Sequence, residues 1–214
     1  ILSSPAPYVL MLGVLLEPTT VVAKAWEQVA AVGQRAFWEP RNVLVTGAGP
    51  IGLLAAMMGR QHGLDVHVLD RVKTGKKPEL VRALGATYHS DTVDRVGFEP
   101  DVIIECTGVG AVIADAIRCV AAGGVVCLTG VGSGGRAVGT VADAAAHMVL
   151  RNNVLVGSVN ANKRHWYKAG EALARADRGW LTHLITRAAP PDAFATALQR
   201  EPDDIKVVIQ FSQA

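Results

Sequence analysis

The chain has 214 residues, of which 50% are hydrophobic and 19% are charged, and its formal net charge is +2. This composition is typical of a compact globular protein and excludes an extensively disordered one, and the small net charge argues against a nucleic-acid partner. No apolar run is long enough to cross a bilayer, so the sequence predicts no membrane partner. Cys106, Cys119 and Cys127 lack metal-binding spacing. We interpret them as free thiols of a reducing compartment, which favours a cytoplasmic location.

Strand and helix patterns alternate along the chain. Helices are predicted from apolar periodicity and from terminal glycines at residues 20–32, 51–62, 78–84, 111–121, 143–150 and 164–175. Strands are predicted from short apolar runs at residues 42–46, 66–69, 86–88, 101–106, 125–130, 154–159 and 205–211, and a glycine-rich loop at 131–139. Such apolar strands suit a parallel sheet that is buried on both faces. The sequence therefore predicts an α/β fold with a doubly wound parallel sheet.

The first predicted strand leads into three glycines with the spacing G-x-G-x-x-G, namely Gly47, Gly49 and Gly52. Gly47 permits a tight turn, Gly49 lets a pyrophosphate approach the backbone, and Gly52 lets the next helix pack against the sheet. Pro50 and Ile51 begin that helix, whose free N–H groups and positive dipole end favour a diphosphate. The strand before the motif and the helix after it favour a dinucleotide site over a glycine turn without a ligand.

Asp70 closes the second predicted strand, where an acid can accept hydrogen bonds from the hydroxyls of an adenosine ribose. Its negative charge should repel a 2′-phosphate, which favours NAD. Arg71 and the lysines at 73, 76 and 77 follow directly and would attract that phosphate. Arg71 is either a contact to the phosphate or a solvated surface residue. The sequence thus favours NAD slightly and leaves NADP open.

Two later strands end in short polar turns. Thr107 and Gly108 follow the strand at 101–106, and Thr129 and Gly130 end the strand at 125–130. The carboxyl ends of parallel strands meet at one edge of the sheet, where the ligand crevice of such folds lies. We therefore expect these turns to share one site with the glycine motif and Asp70.

These segments resemble the nucleotide-binding domain of zinc-dependent medium-chain dehydrogenases, and more narrowly the glucose 1-dehydrogenase branch. The resemblance runs from about residue 17 to the C-terminus. It is carried by L-E-P at 16–18, V-T-G-A-G-P-I-G at 45–52, L-G-A-T-Y at 84–88, I-E-C-T-G at 104–108, L-V-G-S-V-N at 155–160 and D-I-K at 204–206. It implies a Rossmann domain over residues 1–214 that lacks most of the family's catalytic domain. Residues 1–18 and about 183–214 would be flanking segments in contact with that domain, and the start at Ile1 rather than at methionine also favours a fragment.

The resemblance implies that the whole enzyme oxidises the C1 alcohol of a glucose-like sugar. Hydride would pass to NAD(P), while a zinc ion polarises the substrate oxygen. The resemblance places seven residues beside the cofactor, mostly on its nicotinamide side: Thr129, Gly130, Val131, Ser158, Val159, Asn160 and Lys206. Asn160 would also contact the sugar and is therefore a candidate catalytic residue. A homo-oligomer, either a dimer or a tetramer, is expected by the same analogy, with the apolar strand at 154–159 near the sheet edge.

Glu17 alone matches the family's catalytic metal site. A single glutamate cannot hold catalytic zinc, which needs about three protein ligands, so the fragment alone is predicted to be inactive. Glu17 is equally well interpreted as an acid at the start of a helix. The six histidines show no zinc spacing and are interpreted as surface or packing residues.

Alternative functions use the same cofactor motif. One is a polyol, alcohol or threonine dehydrogenase of the same family, and another is a non-catalytic module that senses the dinucleotide. A short-chain dehydrogenase is disfavoured because no tyrosine has a lysine four residues later.

Overall fold

In the computed structural model, residues 11–132, 141–199 and 201–211 are described. Within these ranges six parallel strands form the central sheet, in the order β3-β2-β1-β4-β5-β6. The strands are β1 Asn42–Thr46, β2 Asp65–Leu69, β3 Thr87–His89, β4 Val102–Glu105, β5 Val125–Leu128 and β6 Val154–Gly157. The predicted doubly wound parallel sheet is confirmed.

Helices connect the strands and flank the sheet. They are α1 Leu16–Gly33, α2 Pro50–Gln61, α3 Lys76–Ala83, α4 Gly110–Cys119, α5 Val141–Arg151 and α6 Lys163–Arg175. Helix α1 begins four residues before the predicted position, because Pro18 is tolerated in a first helical turn. Residues 133–140 of the predicted glycine-rich loop lie outside the described residues.

Each central strand divides its side chains between the two faces of the sheet. In β1, Val43 and Val45 join the larger core cluster with residues of α1 and α2, while Leu44 joins the smaller one. In β4, Ile104 joins the larger cluster and Ile103 the smaller one, together with Ala116 of α4. Adjacent residues of a strand point to opposite faces, so continuous apolar runs are needed where both faces are covered by helices.

The strand register brings the carboxyl ends of five strands to the same level. Thr46 lies opposite both Leu69 and Glu105, and Glu105 lies opposite Leu128, which pairs with Gly157. The segments that follow these residues therefore emerge side by side along one edge, which is where a doubly wound fold places its ligand crevice.

The C-terminal part contains elements that the sequence did not predict. Helix α7 (Arg178–Leu184) leads into β7 (Ile185–Ala189), and the short helix α8 (Phe194–Ala197) precedes β8 (Lys206–Ile209). Strands β7 and β8 pair in parallel as a separate two-stranded sheet. The strand predicted at 205–211 is confirmed as the shorter β8. Strand β7 was missed because Arg187 interrupts its apolar pattern. Among the described helices, none is long and apolar enough to cross a membrane.

Candidate functional site

The glycine motif forms a tight turn between β1 and α2. Gly47 has a φ of +91°, which glycine adopts without strain, and its N–H donates to the carbonyl oxygen of Leu69 at 2.7 Å. A Cβ on Gly52 would lie only 1.7 Å from the carbonyl oxygen of Gly47. The first turn of α2 therefore packs directly against the turn that precedes it, with no room for a side chain.

Gly49 borders an open space in front of the amino terminus of α2. A Cβ built on Gly49 would meet no atom within 4 Å, and no side chain caps the helix. Pro50 has no N–H, and Leu53 N–H donates to the Gly49 carbonyl at 2.9 Å. The N–H groups of Ile51 and Gly52 precede any possible partner in the helix. These free donors and the positive helix end fit a diphosphate group.

The segment that contains Lys206 lies against this helix end. A cavity of about 290 Å³ is lined on one side by Gly49 and Pro50, and on the other by Asp204, Ile205 and Val207. Lys206 is half-buried within the same stretch. The structure thus brings β8 to the glycine motif, although the two are separated by about 150 residues in sequence.

Asp70 is held by three hydrogen-bond donors. Its Oδ2 atom accepts from Ala48 N–H at 2.7 Å and from Lys77 Nζ at 3.1 Å, while Oδ1 accepts from Val72 N–H at 3.1 Å. Burial raises the pKa of Asp70, but these backbone and lysine contacts outweigh it and hold the pKa below its ordinary value. The side chains of Asp70 and Lys77 are only 10% and 7% exposed. One carboxylate lone-pair site remains for a ribose hydroxyl.

Lys77 is a site residue that sequence reasoning missed. In the sequence it is one of several basic residues that follow Asp70. In the structure Lys77 is buried, whereas Arg71, Lys73 and Lys76 are exposed. Because Lys77 balances the charge of Asp70, a 2′-phosphate here would meet a neutral ion pair and the exposed Arg71. A lysine at the start of the helix after β2 was the only available signal.

Tyr88 fixes the backbone after β2. Its hydroxyl donates to the carbonyl oxygen of Val72 and lies 3.4 Å from that of Asp70. Burial, followed by the negative charge of Asp70, raises the pKa of Tyr88 to about 12. The neutral phenol therefore persists as a donor at any ordinary pH.

The turns after β4 and β5 pack backbone against backbone. A Cβ on Gly130 would lie 2.3 Å from the Gly108 nitrogen, and a Cβ on Gly108 would lie 2.4 Å from the Gly132 nitrogen. The hydroxyl of Thr107 donates to the Glu105 side chain, and that of Thr129 donates to the Glu105 carbonyl oxygen at 2.9 Å. Both hydroxyls donate hydrogen bonds within the protein, so a ligand in this part of the crevice would contact mainly the backbone and the exposed Val131.

The turn after β6 completes the edge. Ser158 N–H donates to the Leu128 carbonyl at 2.8 Å, and the buried Ser158 Oγ has no hydrogen-bond partner among the described residues. The Val159 carbonyl accepts from Lys24 Nζ of α1 at 2.8 Å, and Asn160 has a φ of +59°. A buried hydroxyl without a partner fits a polar group of a ligand at this position.

Glu17 lies in the first turn of α1 and is exposed. Helix α1 contacts the turn after β6 through Lys24, which lies two helical turns after Glu17. Within the described ranges, no group of three or more His, Cys, Asp or Glu side chains could hold a metal ion. The described residues therefore do not by themselves fit a catalytic zinc site, and Glu17 is an acid in the first turn of a helix.

Comparison with known proteins places this geometry in a family. Residues 10–211 match the family described as glucose dehydrogenase C-terminus. Glucose 1-dehydrogenase 2 of Vulcanisaeta moutnovskia is 38% identical over 206 residues, which cover 94% of this chain and 59% of that protein. Glucose 1-dehydrogenase of Thermoproteus tenax is 36% identical over 204 residues, which cover 93% of this chain and 59% of that protein.

A solved structure agrees over nearly the whole chain. The glucose dehydrogenase of Haloferax mediterranei in complex with NADP, Zn and gluconolactone superimposes with a TM-score of 0.86 at 29% identity, and the match covers 95% of this chain and 60% of that chain. The present chain spans about 59% of the length of the relatives it matches. Because the family match extends over residues 10–211, the chain belongs to the glucose dehydrogenase C-terminus family.

Proposed function

We propose that this chain is the NAD(P)-binding domain of an oxidoreductase that oxidises the C1 alcohol of a glucose-like sugar. The observation that carries the proposal is the uncapped amino terminus of α2, which opens beside Gly49 at the edge where Asp70 and the turns after β4, β5 and β6 meet. The relatives support the choice of reaction, since they are glucose 1-dehydrogenases and one of them is in complex with NADP and gluconolactone.

The geometry suggests where each part of the dinucleotide lies. The adenosine would lie toward β2, where Asp70 accepts from a ribose hydroxyl and Arg71 is free to meet a 2′-phosphate. The diphosphate would lie on the N–H groups of Ile51 and Gly52, in front of Gly49 and Pro50, with the segment that contains Lys206 on the far side of the cavity. The nicotinamide half would then extend over the turns formed by Thr107, Gly108, Thr129, Gly130, Val131, Ser158, Val159 and Asn160.

When bound, the nicotinamide ring supplies the hydride acceptor, and the chain's own residues orient it. The paired glycine turns after β4 and β5 offer a flat backbone surface, and Ser158 Oγ supplies a hydrogen-bonding group beside it. We propose Asn160, which is exposed at the end of the same turn, as the residue that contacts the sugar. Glu17 is the described residue that matches a metal-site position of the family, so a zinc ion in the whole enzyme would need further ligands.

The domain organisation follows the same reasoning. We propose that residues 1–214 form one dinucleotide-binding domain, with 1–18 and about 183–214 as segments that contact a catalytic domain. The two-stranded sheet of β7 and β8 supports this, because it is separate from the central sheet and carries the exposed Ile209 and Phe211. We further propose a cytoplasmic location, which is supported by the three free cysteines.

The assignment of Asp70 is tested by titrating the protein with NAD and NADP before and after Asp70→Ala. We expect the substitution to weaken the affinity for NAD by about tenfold and that for NADP less, because only NAD has a free 2′-hydroxyl on its adenosine ribose to donate a hydrogen bond to the carboxylate. Asp65→Ala, which removes an exposed acid from the opposite end of β2, should leave both affinities unchanged. An unchanged NADP preference in Asp70→Ala would refute the assignment, and a protein that binds neither dinucleotide would refute the proposed function.

The edge of the central sheet supports a homo-oligomer, as a dimer or a tetramer. Strand β6 is the edge strand, and Leu155 on it is 37% exposed. An unpaired apolar edge is usually covered, and a two-fold related copy can extend the sheet across it. We expect Leu155→Lys to shift the protein to monomer in sedimentation equilibrium, whereas Val149→Lys on the exposed face of α5 should not. A protein that is already monomeric at high concentration contradicts the proposal.

A further inference from the structure

Glu105, the last residue of β4, has a side chain that is fully buried at the edge of the crevice. A charged side chain is rarely buried without dense hydrogen bonding, because its removal from water is costly. Among the described residues, the hydrogen-bond partners of its carboxylate are all donors. The Oε1 atom accepts from Thr107 N–H at 2.7 Å, from Thr46 Oγ1 at 3.2 Å and from the Thr107 hydroxyl, and both oxygens accept from Gly108 N–H.

The backbone of Glu105 holds the neighbouring turn as well. Its carbonyl oxygen accepts from Thr129 N–H at 2.8 Å, from Gly130 N–H at 3.0 Å and from Thr129 Oγ1 at 2.9 Å. One residue therefore connects the ends of β1, β4 and β5. Gly108, whose N–H donates to the Glu105 side chain, is also in close backbone contact with Gly130 and Gly132. A shift of the Glu105 side chain would move both turns together.

These turns lie on one side of β1 only. In the sheet order, β2 and Asp70 lie on the other side of β1, beyond the glycine motif. A dinucleotide that places its adenosine ribose at Asp70 and its diphosphate at α2 must extend its second half over β4 and β5. Most contacts of Glu105, those with the turns after β4 and β5, therefore fall under that half, and its contact with β1 is the hydroxyl of Thr46, which precedes Gly47.

We infer that Glu105 is the positioning residue for the nicotinamide half of the cofactor, acting through the turns at 107–108 and 129–132. This inference rests on the proposed function. Glu105 does not touch the cofactor itself, because its side chain is enclosed by the turn that it organises. Its contribution is to fix the backbone surface on which the nicotinamide nucleotide lies, so that little reorganisation is needed on binding.

The test compares two ligands and two isosteric substitutions. NADH reports both halves of the site, and ADP reports the adenosine and diphosphate half alone. Glu105→Gln keeps the size of the side chain but removes its charge. Its NH₂ group would oppose Thr107 N–H at the Oε1 position, and at the Oε2 position it would lie against Gly108 N–H, which could then donate only to the remaining oxygen. Asp101→Asn is the matched control. Asp101 flanks the other end of β4, where its Oδ2 accepts from Arg41 N–H and Asn42 N–H at 2.8 and 2.9 Å, far from the crevice.

We expect Glu105→Gln to raise the Kd for NADH by about tenfold and to change the Kd for ADP by less than about twofold. Asp101→Asn should change neither Kd, although both substitutions lower the melting temperature. A merely structural role would weaken the two ligands equally, and that result, or an unchanged NADH affinity, overturns the inference. If the unsubstituted protein binds neither ligand, the proposed function fails instead.

A milder variant keeps the inference testable if Glu105→Gln does not fold. Thr46→Val removes only the hydroxyl that donates to Glu105 Oε1 and conserves the shape of a buried strand residue. We expect the Kd for NADH to rise by about threefold and the Kd for ADP to stay unchanged, since one of the donors to the Glu105 carboxylate is lost. Equal weakening of both ligands by Thr46→Val overturns the inference.

Discussion

Replacing Gly52 with alanine is expected to abolish dinucleotide binding and to lower the free energy of unfolding by at least about 3 kcal/mol. The reason is steric. An alanine Cβ would lie 1.7 Å from the Gly47 carbonyl oxygen and 3.4 Å from Val45 Cγ1. Neither the backbone of the turn nor the buried strand below it can move without separating α2 from β1. For a chain of this size we expect a fall in melting temperature of roughly 6–12 °C, measured by thermal unfolding.

Two other glycines provide controls. Gly49→Ala introduces a methyl group into open space, so stability should be unchanged while NADH affinity falls, because that space is where the diphosphate is expected. Gly170→Ala lies in α6, also with no atom near the new Cβ, and should stabilise the protein by about 0.5–1 kcal/mol without affecting binding. A Gly52→Ala protein with an unchanged melting temperature would show that the turn is more adaptable than its contacts indicate.

The central sheet could be predicted from local sequence because each strand carries its own signal. Strand β1 has the predicted bounds, Asn42–Thr46, since its apolar run ends at Gly47, where the backbone turns with a positive φ. Strand β5 is shorter than predicted, because its partner strand β4 ends at Glu105, whose carbonyl accepts from both Thr129 N–H and Gly130 N–H. Such an end depends on a neighbour that lies 24 residues away in sequence.

The partners of charged residues could not be predicted in the same way. Lys77 is one of several basic residues after β2, and only the path of the chain into α3 brings it under Asp70. Glu105 looks like an ordinary polar end of a strand, and its role depends on donors from β1 and from two turns. Strand β7 could not be predicted in this way either, because Thr186 and Arg187 interrupt its short apolar pattern and it is defined by its pairing with β8.

Replacing Lys77 with methionine is expected to lower the free energy of unfolding at neutral pH by about 2 kcal/mol and to weaken NADH binding. Methionine conserves the apolar stem but leaves the 10% exposed carboxylate of Asp70 without its ammonium partner. The loop after β2 then loses one of its three anchors. Urea unfolding measures the change in stability. Lys76→Met, which removes an exposed lysine next to it, is the control and should change stability by less than about 0.5 kcal/mol.

The ion pair of Asp70 and Lys77 also predicts how the loss of stability in Lys77→Met depends on pH. In the unsubstituted protein the folded-state pKa of Asp70 is lowered, so the carboxylate contributes stability that is present above its ordinary pKa and is lost as pH falls through the folded-state value. Without Lys77 that pKa rises, because a charge that favours the ionised form is gone. The difference in stability between the two proteins should therefore be largest at neutral pH and should shrink as pH falls through the folded-state pKa values of Asp70 in the two proteins, where the carboxylate becomes protonated. A difference that is equal at neutral and acid pH would mean that Lys77 stabilises the protein through packing of its stem rather than through the charge of Asp70.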